Sequence, residues 1–319
     1  MSALHVVKPG FLSTLQDLGR RGLAHLGISA SGAADALAYR LGNLLVGNDD
    51  NAPAIEMTLV GGTFALTGDV LVVLTGADFG AVLTRSTSDG STPLPPWQPT
   101  HVYNGDSLVL GASRSGARGY LCVRGGFDVP PSLGSVSTHL VTGLGGLGRP
   151  LQSGDTLAIQ PAEPVPSRVT LDARWLAAQY APQAFRITPG PQADWFTPEA
   201  HARLASETYE VLEQSNRMGI RLSGAALERH GSGDLLTEGV ALGAIQVPEN
   251  GQPIILFVEH QTTGGYPKIA NIASIDMHRV GQLRPRDRLR FAWVPFDDAR
   301  RLYLQREESV AHLRREGRA

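Results

Sequence analysis

Residues 54–75 read AIEMTLVGGTFALTGDVLVVLT. Apolar, β-branched blocks are cut by Gly61-Gly62 and by Gly68-Asp69. Short apolar runs between turn residues are the signature of strands, so strands are predicted over 55–60, 63–66 and 70–75. Working outward, the pattern continues at 81–84, 107–110, 120–123 and 156–159. It resumes at 209–212, 220–222, 244–247, 254–258 and 288–294. Helix signals are fewer. Leu37, Leu41, Leu44 and Leu45 fall at helical spacing, with Ser31 as the expected N-cap, Asp35 in the first turn and Gly47-Asn48 as the stop. A short helix is expected over 172–180. Thr197-Pro198-Glu199 is a second start signal. Residues 86–99 read as an exposed loop, and 297–316 as a charged helix, docked or solvated.

The block also comes back. Glu56 with Gly61 returns as Glu238 with Gly243, and Val72 as Ile254. Asp106-x-Leu108-x-Leu110 returns as Asp287-x-Leu289-x-Phe291, and Gly27-Ile28-x-x-Ser31-Gly32 as Gly219-Ile220-x-x-Ser223-Gly224. A nearly constant offset implies two related β domains, and a pseudo-twofold pairing would put a cleft between them. The proline-rich segment 161–166 is the expected linker. The expected divisions are therefore 1–165, 166–296 and a C-terminal helix, 297–319.

Composition limits the function. The 319 residues carry 28 Lys+Arg and 30 Asp+Glu, a net charge of −2, so no basic field exists for bulk nucleic-acid binding. With 42% hydrophobic and 18% charged residues, the chain is not disordered by composition. Cys122 is the sole cysteine, which excludes internal disulfides and a cysteine metal cage and suits a reducing compartment. The opening MSALHVVKPG does not read as a signal peptide, and no apolar run is long enough for a membrane span. The expectation is a soluble cytoplasmic protein without nucleic-acid or membrane partners.

Several motifs bear on chemistry. Gly143-x-Gly145-Gly146-x-Gly148 matches the dinucleotide fingerprint in letters, but Arg149-Pro150 follows where a helix is needed. A loop bordering a site is the better reading. No P-loop, Gly-x-Ser-x-Gly or His-Glu-x-x-His occurs. Asp276-Met277-His278 would share a face on a strand, as a metal or orienting pair, or else form a solvated strand end.

Gln261-Thr262-Thr263-Gly264-Gly265-Tyr266-Pro267-Lys268 is richer. It packs hydroxyls, glycines, a phenol and an ammonium into eight residues, a composition suited to an anion. Lys268 and Lys8 are the only lysines in a chain that otherwise uses arginine. The alternative is a plain turn with a surface lysine. Ser137-Thr138-His139, with Arg114, Arg118 and Arg124 near in sequence, suits a carboxylate or phosphate, or is a solvated loop. Arg217 stands at a strand mouth.

Taken together, these segments resemble the allophanate hydrolase subunit 2 (KipA, or biotin-dependent carboxyltransferase-like) family. The resemblance rests on residues 15–20, 25–35, 45–48, 132–139, 217–224, 243–248 and 263–270, in order along nearly the whole chain. Ser29 stands where the family commonly has proline, and Val136 where it commonly has arginine.

The resemblance implies a mainly β fold with a few short helices and two cyclophilin-like β-barrel subdomains. Stand-alone bacterial members look like the C subunit of an ATP-dependent 5-oxoprolinase. That protein works with a KipI-like B subunit, together with a lactam-utilisation-type A subunit, on a small lactam, and ATP is held on or shared with a partner. Under this reading Thr262, Thr263, Gly264, Gly265 and Lys268 oppose oxyanion charge, and Tyr266 and His139 handle protons. Ser137, Thr138 and Arg217 would contact substrate. Two alternatives remain: a carboxyl transferase using biotin on a separate carrier, and a non-enzymatic antagonist of a KipI-like kinase inhibitor.

Overall fold

The computed structural model describes residues 2–87, 90–163, 169–230 and 235–318. The chain divides into two compact units. The first comprises Met1–Arg20, Ser31–Thr170 and Val310–Ala319; the second comprises Arg21–Ala30 and Leu171–Ser309. Part of the expected linker, 164–166, lies outside the described residues.

Unit 1 holds two antiparallel sheets. The six-stranded sheet runs Thr156–Ala158, Ala3–Lys8, Thr63–Thr67, Ser107–Val109, Val82–Thr84 and Ser91–Pro93. The five-stranded sheet runs Leu12–Gln16, Ala54–Thr58, Ser115–Val123, Val70–Asp78 and Thr100–Val102. Alternation along these strands turns Leu4, Phe64, Leu66, Val72, Leu74 and Leu121 into one core. Two expectations change here. The loop expected at 86–99 contains the strand Ser91–Pro93, and the Leu94 N–H bonds the Ala81 carbonyl while its side chain is buried.

The second change is at the helix Ala36–Leu45, which is capped by Asp35, whose carboxylate accepts the Ala38 N–H at 2.9 Å. Ser31 instead takes a left-handed φ of 56° and donates its hydroxyl to the Thr138 carbonyl at 3.2 Å. Gly42 lets this helix touch the sheet, since a Cβ there would lie 2.7 Å from Cys122 Sγ. Burial pushes the Cys122 thiol far up, so it is an inert core residue.

Unit 2 is built on an eight-stranded sheet. Its order is Arg288–Leu289, Tyr209–Val211, Gly219–Ser223, Ile254–Leu256, Ala244–Gln246, Lys268–Ile272, Phe185–Pro189 and Phe291–Trp293. The last two strands pair in parallel. Glu238–Gly239 and Thr263–Gly264 form a separate two-stranded ribbon. Helix Pro198–Ser206 starts where expected, with Thr197 Oγ1 accepting the Ala200 N–H. Helix Ala173–Gln179 is capped by Asp172. The long helix Phe296–Arg318 docks in part: Ala299 is buried with Ala273 and Ile275.

Asp276-Met277-His278 is neither a strand nor solvated. Asp276 ends a short 3-10 turn, Met277 and His278 open the helix Met277–Val280, and Asp276 is fully buried against Arg186 and Arg279. The aspartates of the repeat keep their local role. Asp106 accepts the Tyr103 N–H at 3.0 Å, and Asp287 accepts the Arg284 N–H at 2.8 Å, each just before a strand. Gly27 and Gly219 differ, since Gly27 is a left-handed turn residue and Gly219 opens a strand. The fold is mainly β, as expected. No helix among the described residues is long and apolar enough to cross a membrane.

Candidate functional site

The expected site residues fall in two groups, one in each unit. In unit 1, Ser137, Thr138 and His139 are buried. Arg114, Arg118 and Arg124 do not surround them: Arg118 faces Glu56, Arg124 binds the Val46 carbonyl at the end of a helix, and Arg114 packs beside Gly80. The arginine that does reach the segment is Arg20, which donates to the Ser137 and Ser135 carbonyls.

Asp17 is the hub of this group. It accepts the Ser135 and Ser137 hydroxyls at 2.6 Å each, the Gly19 N–H at 2.7 Å and the Val136 N–H at 2.8 Å. Thr142 donates its N–H to His139 Nδ1 at 3.2 Å. The glycine loop packs on the same segment. A Cβ at Gly145 would strike the Ser137 carbonyl, and one at Gly146 would strike Thr138 Oγ1. These glycines serve close packing with left-handed φ, and no helix follows them.

In unit 2, Lys268 is only 2% exposed, so it is not a surface lysine. Its ammonium donates to Glu238, whose side chain is 41% exposed. Gln192 holds both partners. Its Nε2 donates to Glu238 Oε1 at 2.8 Å, and its Oε1 accepts the Lys268 N–H at 3.2 Å. Hydrogen bonds from Lys268 and Gln192 hold the Glu238 carboxyl below its usual range.

Thr263 and Gly264 are a strand pair for Glu238–Gly239, and neither Gly264 nor Gly265 has a left-handed φ. The loop is therefore a ribbon rather than an open glycine nest. Gly264 instead gives clearance to a neighbouring side chain. A Cβ there would come within 2.6 Å of the Gln246 amide nitrogen. Tyr266 is half exposed. Arg217 is buried and donates to Glu259 at 2.6 Å, an internal ion pair.

The sheet places four side chains in one cross-strand row. Arg221 pairs with Ile254, Ile254 with Gln246, and Gln246 with Lys268. The last step crosses a register shift next to Gln246, a device that re-aims side chains at sites. At about 4.8 Å per strand the row spans about 14 Å. It grades from exposed Arg221 through half-buried Ile254 to buried Gln246 and Lys268. A groove of about 380 Å³ lies along its first three members, lined by Arg221, Ile254, Gln246, Gln261, Tyr266 and Met218 among others but not by Lys268.

Sequence reasoning named Lys268 and Tyr266 as candidates and did not name Arg221, Gln192 or the pairing of Glu238 with Lys268. The alternation in Gly219–Ser223 carried a signal. Ile220 and Leu222 are buried, so Arg221 faces the other way.

Comparison with known proteins agrees with this architecture. The chain is 39% identical to the 5-oxoprolinase C subunit of Escherichia coli, over 93% of each chain. It is 36% identical to the corresponding C subunit of Haemophilus influenzae, over 95% of each. The crystal structure of Kluyveromyces lactis urea carboxylase superposes with a TM-score of 0.87 at 29% identity, covering 98% of this chain and 29% of that one. The profile of the carboxyltransferase domain, subdomain A and B, matches residues 26–293, and the chain belongs to that family.

Proposed function

We propose that this chain is the C subunit of an ATP-dependent 5-oxoprolinase. With a KipI-like B subunit, joined by a lactam-utilisation-type A subunit, it would open 5-oxo-L-proline to L-glutamate. The observation that carries this reading is the match to the Escherichia coli protein along 93% of both chains. The urea enzymes match along a small part of their length, 29% for the urea carboxylase structure.

The unit 2 site supports the chemistry. A lactam is an unreactive amide, and its opening builds negative charge on the carbonyl oxygen. Lys268 offers a positive charge held out of bulk water, where it acts more strongly on such charge. Thr262, Thr263 and Gly265 line the same ribbon as further candidate donors, and Tyr266 is the proposed proton handler for the leaving ring nitrogen. His139 is assigned to holding the glycine loop.

The loop whose letters match a dinucleotide fingerprint does not fit a nucleotide. Gly145 and Gly146 are filled by Ser137 and Thr138 rather than facing a phosphate. ATP is accordingly assigned to a partner protein, and the chain alone is inactive. A cytoplasmic location supplies ATP and suits the reduced Cys122.

The test is reconstitution with the A and B partners and assay of ATP-dependent glutamate release. Glutamate should appear only with all three components and be insensitive to avidin. The likeness to urea carboxylase favours a second reading, carboxyl transfer from biotin on a separate carrier. Avidin-sensitive carboxylation of urea, without turnover of 5-oxoproline, would replace the first reading with the second.

A further inference from the structure

The groove along Arg221, Ile254 and Gln246 has a chemical polarity that the reading above does not use. At its outer end stands Arg221, whose guanidinium has no hydrogen bond or ion pair among the described residues. No aspartate or glutamate lines the groove. Every other polar group along it is neutral: the amides of Asn216, Gln246, Asn250, Gln252 and Gln261 and the Tyr266 phenol. At the inner end Gln246 is 1% exposed, accepts a 3.1 Å bond from Gln261 Nε2, and keeps an amide nitrogen with no partner among the described residues. A buried amide donor without a partner is costly. Between the two ends lies Ile254, the apolar step of the row.

We propose that Arg221 and Gln246 form a recognition subsite for small amides that carry a carboxylate. The carboxylate rests on Arg221, the apolar body on Ile254, and the amide on the Gln246–Gln261 end, beside Gly264 and the Lys268–Glu238 pair. A single unpaired cation with only neutral companions selects a monoanion. The two steps from Arg221 to Gln246 span about 10 Å, and the long arginine side chain shortens that gap for a small ring. A neutral amide such as urea would leave Arg221 unused. The inference rests on the 5-oxoprolinase reading for the substrate but concerns selectivity, which can be measured separately.

The experiment uses the reconstituted complex and three probes: 5-oxo-L-proline, the uncharged lactam 2-pyrrolidinone, and urea. Affinity is read by calorimetric titration, and turnover by lactam opening. The wild-type complex should prefer 5-oxo-L-proline to 2-pyrrolidinone. Arg221→Gln should weaken 5-oxo-L-proline about 10- to 100-fold and leave 2-pyrrolidinone nearly unchanged. Arg221→Lys should recover part of the loss, and Gln246→Leu should weaken both lactams.

Equal binding of the two lactams by the wild type overturns the proposal, as does a preference that survives in Arg221→Gln. A preference for 5-oxo-L-proline without turnover would overturn the functional reading and leave the subsite standing. Arg221 is exposed, so its replacement is not expected to unfold the chain. A thermal melt of each variant separates lost binding from lost structure.

Discussion

Two buried polar regions of this molecule are built on opposite plans. In unit 1, Asp17 receives four donors within 2.8 Å, and Arg20 and His139 are tied into the same segment. In unit 2, Lys268 is as deeply buried, yet its carboxylate partner Glu238 is 41% exposed and the neighbouring Gln246 amide is unmatched. The first arrangement spends most of its polarity on fixing the chain, although Thr138 Oγ1 is buried there without a partner among the described residues. In the second, Gln246 lines a groove and keeps an amide nitrogen available for a ligand. Burial of a polar group therefore does not mark a site by itself; an unmatched group that also lines a groove is the stronger marker.

The largest expected effect tests the first plan. Asp17→Ala would leave two hydroxyls and two N–H groups without their acceptor in the interior. A loss of about 3–5 kcal/mol in denaturant unfolding is expected. A loss under about 1 kcal/mol would mean that Asp17 does not hold the 135–139 segment.

Another buried network carries a pH signature. Burial, with Arg306 next in weight, pushes His278 down from 6.5 to about 4. Its Nδ1 meets the Arg306 guanidinium at 2.9 Å, and its Nε2 meets the Gln179 carbonyl at 2.8 Å. The folded state thus keeps His278 neutral in a range where the unfolded chain protonates it. Between about pH 6.5 and 4 the unfolded state binds more protons, so stability falls as pH falls, by roughly 3 kcal/mol in all. Above pH 6.5 this contribution is flat. Unfolding titrations across that window should show the slope in the wild type and lose most of it in His278→Gln.

The second plan predicts a split between activity and stability. Lys268→Met removes a buried charge and leaves a carboxylate that water can reach. Activity of the reconstituted complex should fall about 100-fold, with the thermal midpoint moving by less than about 4 °C. Full activity would remove Lys268 from the chemistry. A collapse in stability would place it with Asp17 as a structural group.

These contrasts also explain what the sequence disclosed. Strand blocks such as 70–75 and the cap at Thr197 were legible because their cause is local: alternation, and a side chain bonding an N–H three residues on. Lys268 stood out because lysine is rare here. The partners were hidden because chain segments distant in sequence supply them: Gln192 precedes the 3-10 turn Ala193–Trp195, and Glu238 sits on the separate ribbon. Gln192 lies 76 residues from Lys268, and Glu238 lies 30 away. Arg20 replaced Arg114, Arg118 and Arg124 at Ser137 because closeness in sequence is not closeness in a sheet. Gly264 stood out as part of a loop suited to an anion, and the fold adds a cause the sequence did not disclose, side-chain clearance at Gln246.

That last point yields the smallest and most specific expectation. Gly264 has an ordinary φ, so the backbone admits alanine, and the added methyl meets the Gln246 amide at 2.6 Å. The amide is bonded to Gln261 and has little room to yield. Gly264→Ala should therefore destabilise by about 1 kcal/mol and weaken lactam binding several-fold by shifting Gln246. Gly265→Ala is the matched comparison, because its methyl would approach the Leu235 carbonyl at 3.2 Å and lie away from the row. Its binding should stay close to wild type even where its stability drops. Equal loss of binding in both variants would show that the ribbon as a whole, and not clearance at Gln246, shapes the inner end of the groove.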